Sequence, residues 1–238
     1  MKSLAKDLRN SSYAVCFTGA GMDTESKLPD FRGKDGLWKS HDPRQLASSQ
    51  ALESNYDLFH EFYSYRVKSL KEADIHTGHS ILSELQEAGL IKSIITQNVS
   101  SLHQLAGSTN VIELHGSLGR FHCNTCNKEA TTESFLAKES CSNCGGKLRP
   151  SLTLFGETLP QEAFRDAIDE LEKADFLLIM GTSLEVYPAA QLPFMFDMKR
   201  CYVGLDPIKQ ERQMDYIHLT KIGSFLKTLS DELAQLLD

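Results

Sequence analysis

The most informative stretch of this chain is residues 18–33, which read Thr18-Gly19-Ala20-Gly21-Met22-Asp23-Thr24-Glu25-Ser26-Lys27-Leu28-Pro29-Asp30-Phe31-Arg32-Gly33. Residues 13–17, just upstream, form a short apolar run typical of a buried strand. A buried strand that leads into Gly-x-Gly predicts the first strand and turn of a dinucleotide-binding fold, where backbone N–H groups face a pyrophosphate. The third glycine of that fingerprint is replaced by Thr24, so the turn alone fits an ordinary tight turn equally well.

Length and charge restrict the class of protein. A chain of 238 residues can form one large domain, or one domain with a small insertion. The net charge of −7 argues against nonspecific binding to nucleic acid or to anionic membranes. The chain has neither the apolar segment of a secretory signal nor an apolar run of roughly 20 residues, so we expect a cytoplasmic protein without a membrane span.

Strand-like and helix-like segments alternate along the chain. This alternation predicts an α/β fold with a parallel sheet, interrupted at about 119–149 by a cysteine-containing insertion. The predicted strands are 13–17, 91–96, 111–114, 176–180 and 201–205, and the predicted helices are 53–70, 79–87, 161–173, 189–198 and 222–237.

Four cysteines in the insertion form two Cys-x-x-Cys pairs: Cys123 and Cys126, then Cys141 and Cys144. Two such pairs are typical of a structural zinc site, in which four thiolates close a tetrahedron. The alternative is buried or disulfide-bonded cysteines. A catalytic zinc is disfavoured because four protein ligands leave no open position for water or substrate.

Polar side chains follow three of the predicted strands, where α/β proteins place their ligand contacts. Gln97 and Asn98 follow one strand, and His115, whose near-neutral pKa suits a general base, follows the next. Gly181-Thr182-Ser183 follows a third and offers hydroxyls to phosphate or ribose. Taken singly, the histidine fits a structural role and the hydroxyls fit a helix cap.

The order of these motifs resembles the sirtuins, the NAD-dependent protein lysine deacylases, over almost the whole chain. The motifs are Gly-Ala-Gly, Pro-Asp-Phe-Arg-Gly, Thr-Gln-Asn, Leu-His-Gly, the paired Cys-x-x-Cys, Phe-Gly-Glu at 155–157 and Gly-Thr-Ser-Leu at 181–184. The resemblance implies a single catalytic domain over 1–238. Its Rossmann-like NAD-binding part would span 1–118 and 150–238, and its small zinc-binding insertion about 119–149. A helical segment at about 34–75 would complete the small lobe.

The resemblance also implies roles for individual residues. NAD is expected as a co-substrate and one zinc ion as a structural metal. His115 matches the general base, and Asn98 is a second catalytic candidate. The cofactor-binding candidates are Gly19, Ala20, Gly21, Asp23, Phe31, Arg32, Trp38, Gln97, Asn98, Ser100, Gly181, Thr182, Ser183 and Gly204. The substrate-binding candidates are Tyr63, Arg66, Leu154, Phe155, Gly156 and Glu157.

The implied reaction joins an acylated lysine of a protein substrate to NAD. The acyl oxygen attacks C1′ of the nicotinamide ribose and expels nicotinamide, giving an alkylamidate. His115 then helps a ribose hydroxyl attack that intermediate, and hydrolysis releases lysine and an O-acyl-ADP-ribose. The acyl oxygen is a weak nucleophile, so its attack requires close positioning in a water-poor cleft. The substrate peptide would bind residues 154–157 as an added strand, and the protein is expected to be a monomer.

Tyr63 and Arg66 bear on the choice of acyl group. Residues i and i+3 share one helical face, and arginine can bind a carboxylate through two parallel hydrogen bonds. A Tyr-x-x-Arg at this place resembles the class of sirtuins that removes succinyl and malonyl groups. The alternative is an amphipathic helix with a buried tyrosine and a solvated arginine.

Four positions depart from the family pattern. Asp23 stands where a serine is usual, Lys27 where a glycine is usual, Ser100 where an aspartate is usual and Gly204 where an asparagine is usual. The aspartate normally accepts a hydrogen bond from the nicotinamide amide, and Asp23 is a candidate to take over part of that role. The alternatives are an ADP-ribosyltransferase, an NAD hydrolase or a weakly active NAD-binding module. A zinc-stabilised interaction module is a third class, but it leaves His115 unexplained.

Overall fold

The computed structural model of the protein describes residues 1–30 and 42–236. The strands are β1 (Ala14–Thr18), β2 (Ser93–Thr96), β3 (Val111–Glu113), β4 (Gly116–Cys123), β5 (Glu129–Ala130), β6 (Leu148–Leu152), β7 (Phe176–Met180), β8 (Lys199–Gly204) and β9 (Tyr216–Leu219). The α-helices are α1 (Lys2–Asn10), α2 (Pro43–Leu46), α3 (Ser49–Ser54), α4 (Tyr56–Lys71), α5 (Thr77–Glu87), α6 (Leu102–Leu105), α7 (Thr132–Leu136), α8 (Gln161–Lys173) and α9 (Ile222–Gln235). Short 3-10 helices include Ala20–Ser26 and Ala189–Phe194.

A six-stranded parallel sheet forms the large lobe, in the order β3-β2-β1-β7-β8-β9. The chain therefore starts in the middle of the sheet, builds outward on one side, and returns to β1 to build on the other. Ligands of open α/β sheets bind beyond the carboxyl ends of the strands where this reversal occurs. That point lies between Thr18 at the end of β1 and Met180 at the end of β7, which are paired.

Helices cover both faces of the large sheet, which explains why every residue of β1, β2 and β7 is buried. On one face α1, α5 and α9 supply Leu4, Leu82 and Leu226 to the core. On the other, α8 and the 3-10 helix Ala189–Phe194 supply Leu171 and Leu192. No helix among residues 1–30 and 42–236 combines the length and the apolar character needed to span a bilayer.

The small lobe consists of a second, antiparallel sheet and the helices packed against it. Its strand order is β5-β4-β6, so the sheet begins at Gly116 and closes at Leu152, on both sides of the cysteine-containing insertion. Phe59 and Tyr63 of α4 share a separate core with Phe121 and Phe135. The parallel α/β sheet with a small cysteine-containing lobe agrees with the expectation from sequence, whereas the antiparallel sheet of that lobe was not predicted.

Two predicted helices differ from those observed. The helix expected over 53–70 is interrupted at Asn55, whose side chain accepts a hydrogen bond from the Leu58 N–H at 3.4 Å and starts α4 afresh. The helix expected over 189–198 is a 3-10 helix that ends at Phe194 and contains Pro193, a residue that cannot donate to an α-helical ladder.

Candidate functional site

The glycine turn after β1 packs backbone against backbone on the turn after β7. The Gly21 N–H donates to the Gly181 carbonyl at 2.8 Å, and the Gly19 N–H donates to the Met180 carbonyl at 3.0 Å. Gly181 has a φ of 63°, and a Cβ there would lie 2.3 Å from the Met22 nitrogen. The N–H groups of Gly19 and Gly21 therefore donate to backbone carbonyls of the protein. The Gly-x-Gly pattern predicted instead that such groups would face a pyrophosphate.

The two amide side chains after β2 join the ends of three strands. The Gln97 Nε2 donates to the Thr182 Oγ1 at 2.9 Å, and the Asn98 Nδ2 donates to the Gly19 carbonyl at 3.0 Å. Asn98 is buried, whereas Gln97 is half-buried. The residues predicted from three separate strand ends therefore meet at one edge of the sheet.

His115 follows β3, half-buried beside the same edge. Its Nδ1 lies 2.9 Å from the Gln97 carbonyl, which can only accept, so Nδ1 carries the proton and Nε2 keeps its lone pair. Burial lowers the pKa of His115 and outweighs the opposing effect of the bond to Gln97. A neutral imidazole with a free Nε2 lone pair can act as a general base at neutral pH.

A pocket opens beside the glycine turn and the amides, and about 490 Å³ of empty space, its open mouth included, lies within it. Five of the predicted site residues line it, namely Ala20, Asp23, Arg66, Asn98 and Ser100. Asp23 and Arg66 are the charged residues of its wall. The lining residues are Ala20, Asp23, Leu28, Pro29, Tyr65, Arg66, Ser69, Leu70, Asn98, Val99, Ser100 and Leu118. The pocket is therefore an apolar slot with a few polar groups, as small-molecule sites commonly are.

Asp23 is buried in the wall of this pocket and is held on both carboxylate oxygens. The Ser100 hydroxyl donates to Oδ2 at 2.7 Å, and the His79 Nε2 donates to Oδ1 at 3.1 Å. His76 anchors the preceding residue, because its Nε2 donates to the Met22 carbonyl at 2.7 Å. Sequence reasoning did not single out these histidines, of which His76 is the N-cap of α5 and His79 lies in its first turn.

Tyr63 and Arg66 have different surroundings. Tyr63 is 1% exposed in the core of the small lobe, and its burial raises the pKa of its hydroxyl to about 12. Arg66 lines the pocket, with its guanidinium carbon 5.8 Å from the ring centroids of both Phe62 and Tyr63. The tyrosine that lines the pocket is Tyr65, which is 61% exposed.

The segment Leu154 to Glu157 lies beside α3 and is held at both ends. Phe155 pairs with the chain at Ser48, since its N–H donates to the Ala47 carbonyl and its carbonyl accepts from the Ser49 N–H. Glu157 accepts from the Leu154 N–H at 2.8 Å and from both terminal nitrogens of Arg149. Gly156, between them, is exposed with a φ of 93°.

The four cysteines of the small lobe converge, and their sulfur atoms all lie within 4.8 Å of one another. Cys123 Sγ is 3.5 Å from Cys144 Sγ, and Cys126 Sγ is 3.7 Å from Cys141 Sγ. A tetrahedral zinc with Zn–S bonds of about 2.3 Å separates its sulfurs by about 3.8 Å, whereas a disulfide requires about 2.05 Å. The donor set therefore fits one zinc ion and does not fit two disulfides.

The remaining predicted positions lie at the edges of the site. Ser183 is exposed after the Gly181 turn, and Gly204 ends β8 with Tyr202 beside it. A Cβ at Gly204 would lie 2.3 Å from the Tyr202 hydroxyl, so the asparagine expected there would clash unless Tyr202 moved. Lys27 has a φ of 65°, the left-handed conformation that favours the glycine expected from the family pattern. Phe31, Arg32 and Trp38 lie outside the described residues.

Residues 19–188 match the model of the Sir2 family. An NAD-dependent protein deacetylase of Oceanobacillus iheyensis is 47% identical over 230 residues, which cover 94% of this chain and 98% of that protein. An NAD-dependent protein deacylase of Pyrococcus furiosus is 39% identical over 244 residues, covering 98% of each chain. Similarity thus extends over nearly the full length of these relatives.

Solved structures agree with the sequence comparison. A mutant of a Sir2 homologue in complex with ADP-ribose superimposes with a TM-score of 0.95 at 36% identity, covering 100% of this chain and 98% of that one. A Sir2 protein with a deacetylated p53 peptide and 3′-O-acetyl-ADP-ribose superimposes with a TM-score of 0.93 at 33% identity, covering 98% of each chain. The fold and the sequence relatives therefore point to the same family.

Proposed function

The chain belongs to the Sir2 family, and we propose that it acts there as an NAD-dependent protein lysine deacylase that forms nicotinamide and an O-acyl-ADP-ribose. The observation that carries the proposal is the position of His115 at the strand edge where Gln97, Thr182 and Gly19 also meet. The names of the relatives support an enzyme that uses NAD on acylated protein. They do not favour an ADP-ribosyltransferase, an NAD hydrolase or an interaction module.

NAD supplies an electrophilic ribose carbon with nicotinamide as its leaving group, and the described residues fit such a dinucleotide. Gly21 and Gly181 bring two turns into contact at the reversal point of the sheet, where a side chain on Gly181 would clash. Thr182 lies there with its hydroxyl bound to Gln97. The slot beside Asn98 is apolar on several sides, which suits a flat ring and excludes water.

His115 would supply the base. Its Nδ1 is occupied by the Gln97 carbonyl, so Nε2 is the atom that takes a proton from a ribose hydroxyl. Burial keeps the pKa of His115 below its ordinary value, so the imidazole stays neutral until it accepts that proton. The bond from Nδ1 to a backbone carbonyl holds the ring orientation throughout.

The substrate peptide would bind the segment that contains Gly156 as an added strand. The backbone N–H and carbonyl of Phe155 are engaged with Ala47 and Ser49. Gly156 is exposed in a turn with a φ of 93°, where an acylated peptide can reach its N–H and carbonyl. Phe155, 37% exposed, offers an apolar contact at the same place.

One experiment tests the main proposal. The protein is incubated with NAD and an acetyl-lysine peptide, and the products are identified by mass spectrometry. We expect nicotinamide, deacetylated peptide and O-acetyl-ADP-ribose, with the acetyl product lost in His115→Ala. Bare ADP-ribose formed without peptide, or ADP-ribose attached to protein, would instead support one of the alternative reactions.

Removal of acidic acyl groups is a second candidate, favoured by Arg66 at the pocket wall. A guanidinium can bind the carboxylate of a succinyl group, whereas the buried Tyr63 is less available. Arg66→Met should then lower kcat/KM for a succinyl-lysine peptide by about tenfold or more, and that for an acetyl-lysine peptide by much less. Lys68→Met, at an exposed position of the same helix, is the control. A strong acetyl preference that Arg66→Met leaves unchanged would eliminate this candidate.

Where the protein works and how it assembles are separate proposals. We propose a cytoplasmic monomer, since four clustered free cysteines suit a reducing compartment. Size-exclusion chromatography with light scattering measures the mass directly, and a dimer would overturn the second part.

A further inference from the structure

Two of the four departures from the family pattern contact one another. The family pattern has a serine at position 23 and an aspartate at position 100, whereas this chain has Asp23 and Ser100. The Ser100 hydroxyl donates to the Asp23 carboxylate at 2.7 Å. The same pair of side chains is therefore present with the two positions exchanged, and both line the pocket.

The carboxylate of Asp23 retains acceptor capacity toward the pocket. A carboxylate offers about four lone-pair directions, and the contacts with Ser100 and His79 occupy one on each oxygen. The His79 side chain is fully buried and that of Asp23 is 8% exposed, so a ligand in the slot reaches Asp23 only through this small exposed part of its side chain. A group with N–H donors would satisfy it.

His79 fixes Asp23 with little freedom to move. Its Nε2 donates to Oδ1 of the carboxylate, which leaves Nδ1 as the other polar atom of the ring. That Nδ1 is buried without a partner among the described residues. Burial of a polar atom without a hydrogen bond costs free energy. The His79 ring also packs edge-on between His76 and His103, at centroid distances of 4.4 and 5.0 Å. The carboxylate is thus held in one orientation.

We propose that Asp23 is the residue that recognises the carboxamide of nicotinamide in this protein, with Ser100 and His79 as its positioning residues. The inference rests on the proposed use of NAD. The planar ring would lie among Leu28, Val99 and Leu118, and the carboxamide N–H groups would donate to the free side of the carboxylate. The exchange of positions thereby retains the acceptor that Ser100 alone would lack.

Binding, measured without turnover, tests this. NAD and ADP-ribose are titrated by calorimetry in the presence of a trifluoroacetyl-lysine peptide, whose electron-poor carbonyl oxygen reacts slowly. ADP-ribose has no nicotinamide and serves as the matched control ligand. For Asp23→Ser we expect the Kd of NAD to rise about 10- to 100-fold, the loss typical of a charge-assisted hydrogen bond, with the Kd of ADP-ribose changed less than about twofold.

The reciprocal variant makes the test specific. Ser100→Asp alone puts two carboxylates in contact and should also weaken NAD. The double variant Asp23→Ser/Ser100→Asp restores one carboxylate and one hydroxyl, and its Kd for NAD should return to within about threefold of the original. Ser100→Thr, which keeps the hydroxyl, should bind NAD more tightly than Ser100→Ala. Thermal unfolding of each variant, followed by circular dichroism, separates binding effects from loss of fold.

Three results would overturn the proposal: equal weakening of NAD and ADP-ribose by Asp23→Ser, no weakening of either, or a double variant no better than Asp23→Ser. Failure of the underlying function has a different signature, because the unchanged protein would then yield no O-acetyl-ADP-ribose from NAD and acetylated peptide. A protein that forms this product while Asp23→Ser binds NAD normally would refute the role of Asp23 alone.

Discussion

Replacement of Glu157 by alanine should destabilise the protein, because it leaves a buried guanidinium without its counter-charge. Arg149 is 5% exposed, and both of its terminal nitrogens donate to the Glu157 carboxylate, one of them at 2.9 Å. The carboxylate also accepts the Leu154 N–H at 2.8 Å. Removal of one member of a buried pair costs about 3–5 kcal/mol. The Glu157 side chain is 30% exposed, which places the expected loss near the lower end, about 3 kcal/mol.

For a chain of this size, each kcal/mol corresponds to about 2–4 °C in Tm, so Glu157→Ala should lower Tm by about 6–12 °C. Calorimetry or circular dichroism measures the shift. Asp166→Ala, at an exposed position of α8, is the control and should shift the free energy of unfolding by less than about 0.5 kcal/mol. The KM for the acylated peptide should also rise, because Glu157 holds the segment that contains Gly156.

The loss of stability in Glu157→Ala should become smaller as the pH falls. Burial opposes ionisation of Glu157, but the hydrogen bonds from Arg149 and Leu154 outweigh it and lower its pKa. A carboxyl with a lowered folded pKa contributes stability above its unfolded pKa, and that contribution is lost as pH falls through the folded value. The difference between original and variant should therefore be full at pH 7 and shrink below the ordinary value of 4.5. A Tm difference under about 2 °C at pH 7 would refute the reasoning.

Three further predictions concern the base, the metal and the turn. The acid limb of kcat/KM should lie below pH 6.5, because burial lowers the pKa of His115; a limb above pH 7 would contradict the assigned surroundings. Mass spectrometry should find about one zinc per chain, and Cys141→Ser should lose it and lower Tm; an unchanged zinc content would count against the four-thiolate site. Gly181→Ala should destabilise by about 2–5 kcal/mol in urea unfolding and weaken NAD binding, because its Cβ would lie 2.3 Å from the Met22 nitrogen. Gly145 has a φ of 72°, and a Cβ there would meet nothing within 4 Å. Gly145→Ala should therefore lose only the free energy of holding alanine in the left-handed conformation. An equal loss of stability in both variants would contradict the steric argument.

The large sheet was predictable because its inner strands are buried on both faces. Residues 176–180 were predicted as a strand and form one over that range, since five consecutive apolar residues can lie only in the core. β9 was missed because it is an edge strand whose residues alternate between half-buried and exposed, and it has no continuous apolar run. The break at Asn55 was missed because the apolar period continues through it, and only the cap geometry separates α3 from α4.

The site was predictable where a motif fixes the backbone, and unpredictable where side chains from distant segments meet. The four cysteines, the Gly21 and Gly181 turns and the strand-end position of His115 follow from local patterns. The burial of Tyr63 could not be read from Tyr-x-x-Arg, because helical spacing says which residues share a face and does not say whether a core or a pocket faces them.

The departures at 23 and 100 show why positions should be judged in pairs. Considered separately, Asp23 puts a charge where a small hydroxyl was expected, and Ser100 removes the carboxylate that a nicotinamide amide requires. The two side chains are in contact at 2.7 Å, so the two substitutions act as one. The hydroxyl and the carboxylate can exchange positions, and the hydroxyl still donates to the carboxylate. A single-position comparison would predict a damaged cofactor pocket, whereas the contact predicts a working one, and the reciprocal variant distinguishes the two. The departure at Gly204 is not matched by a second one in contact with it. Tyr202 occupies the space of the missing side chain, and its hydroxyl donates to the Asp206 carbonyl at 3.0 Å.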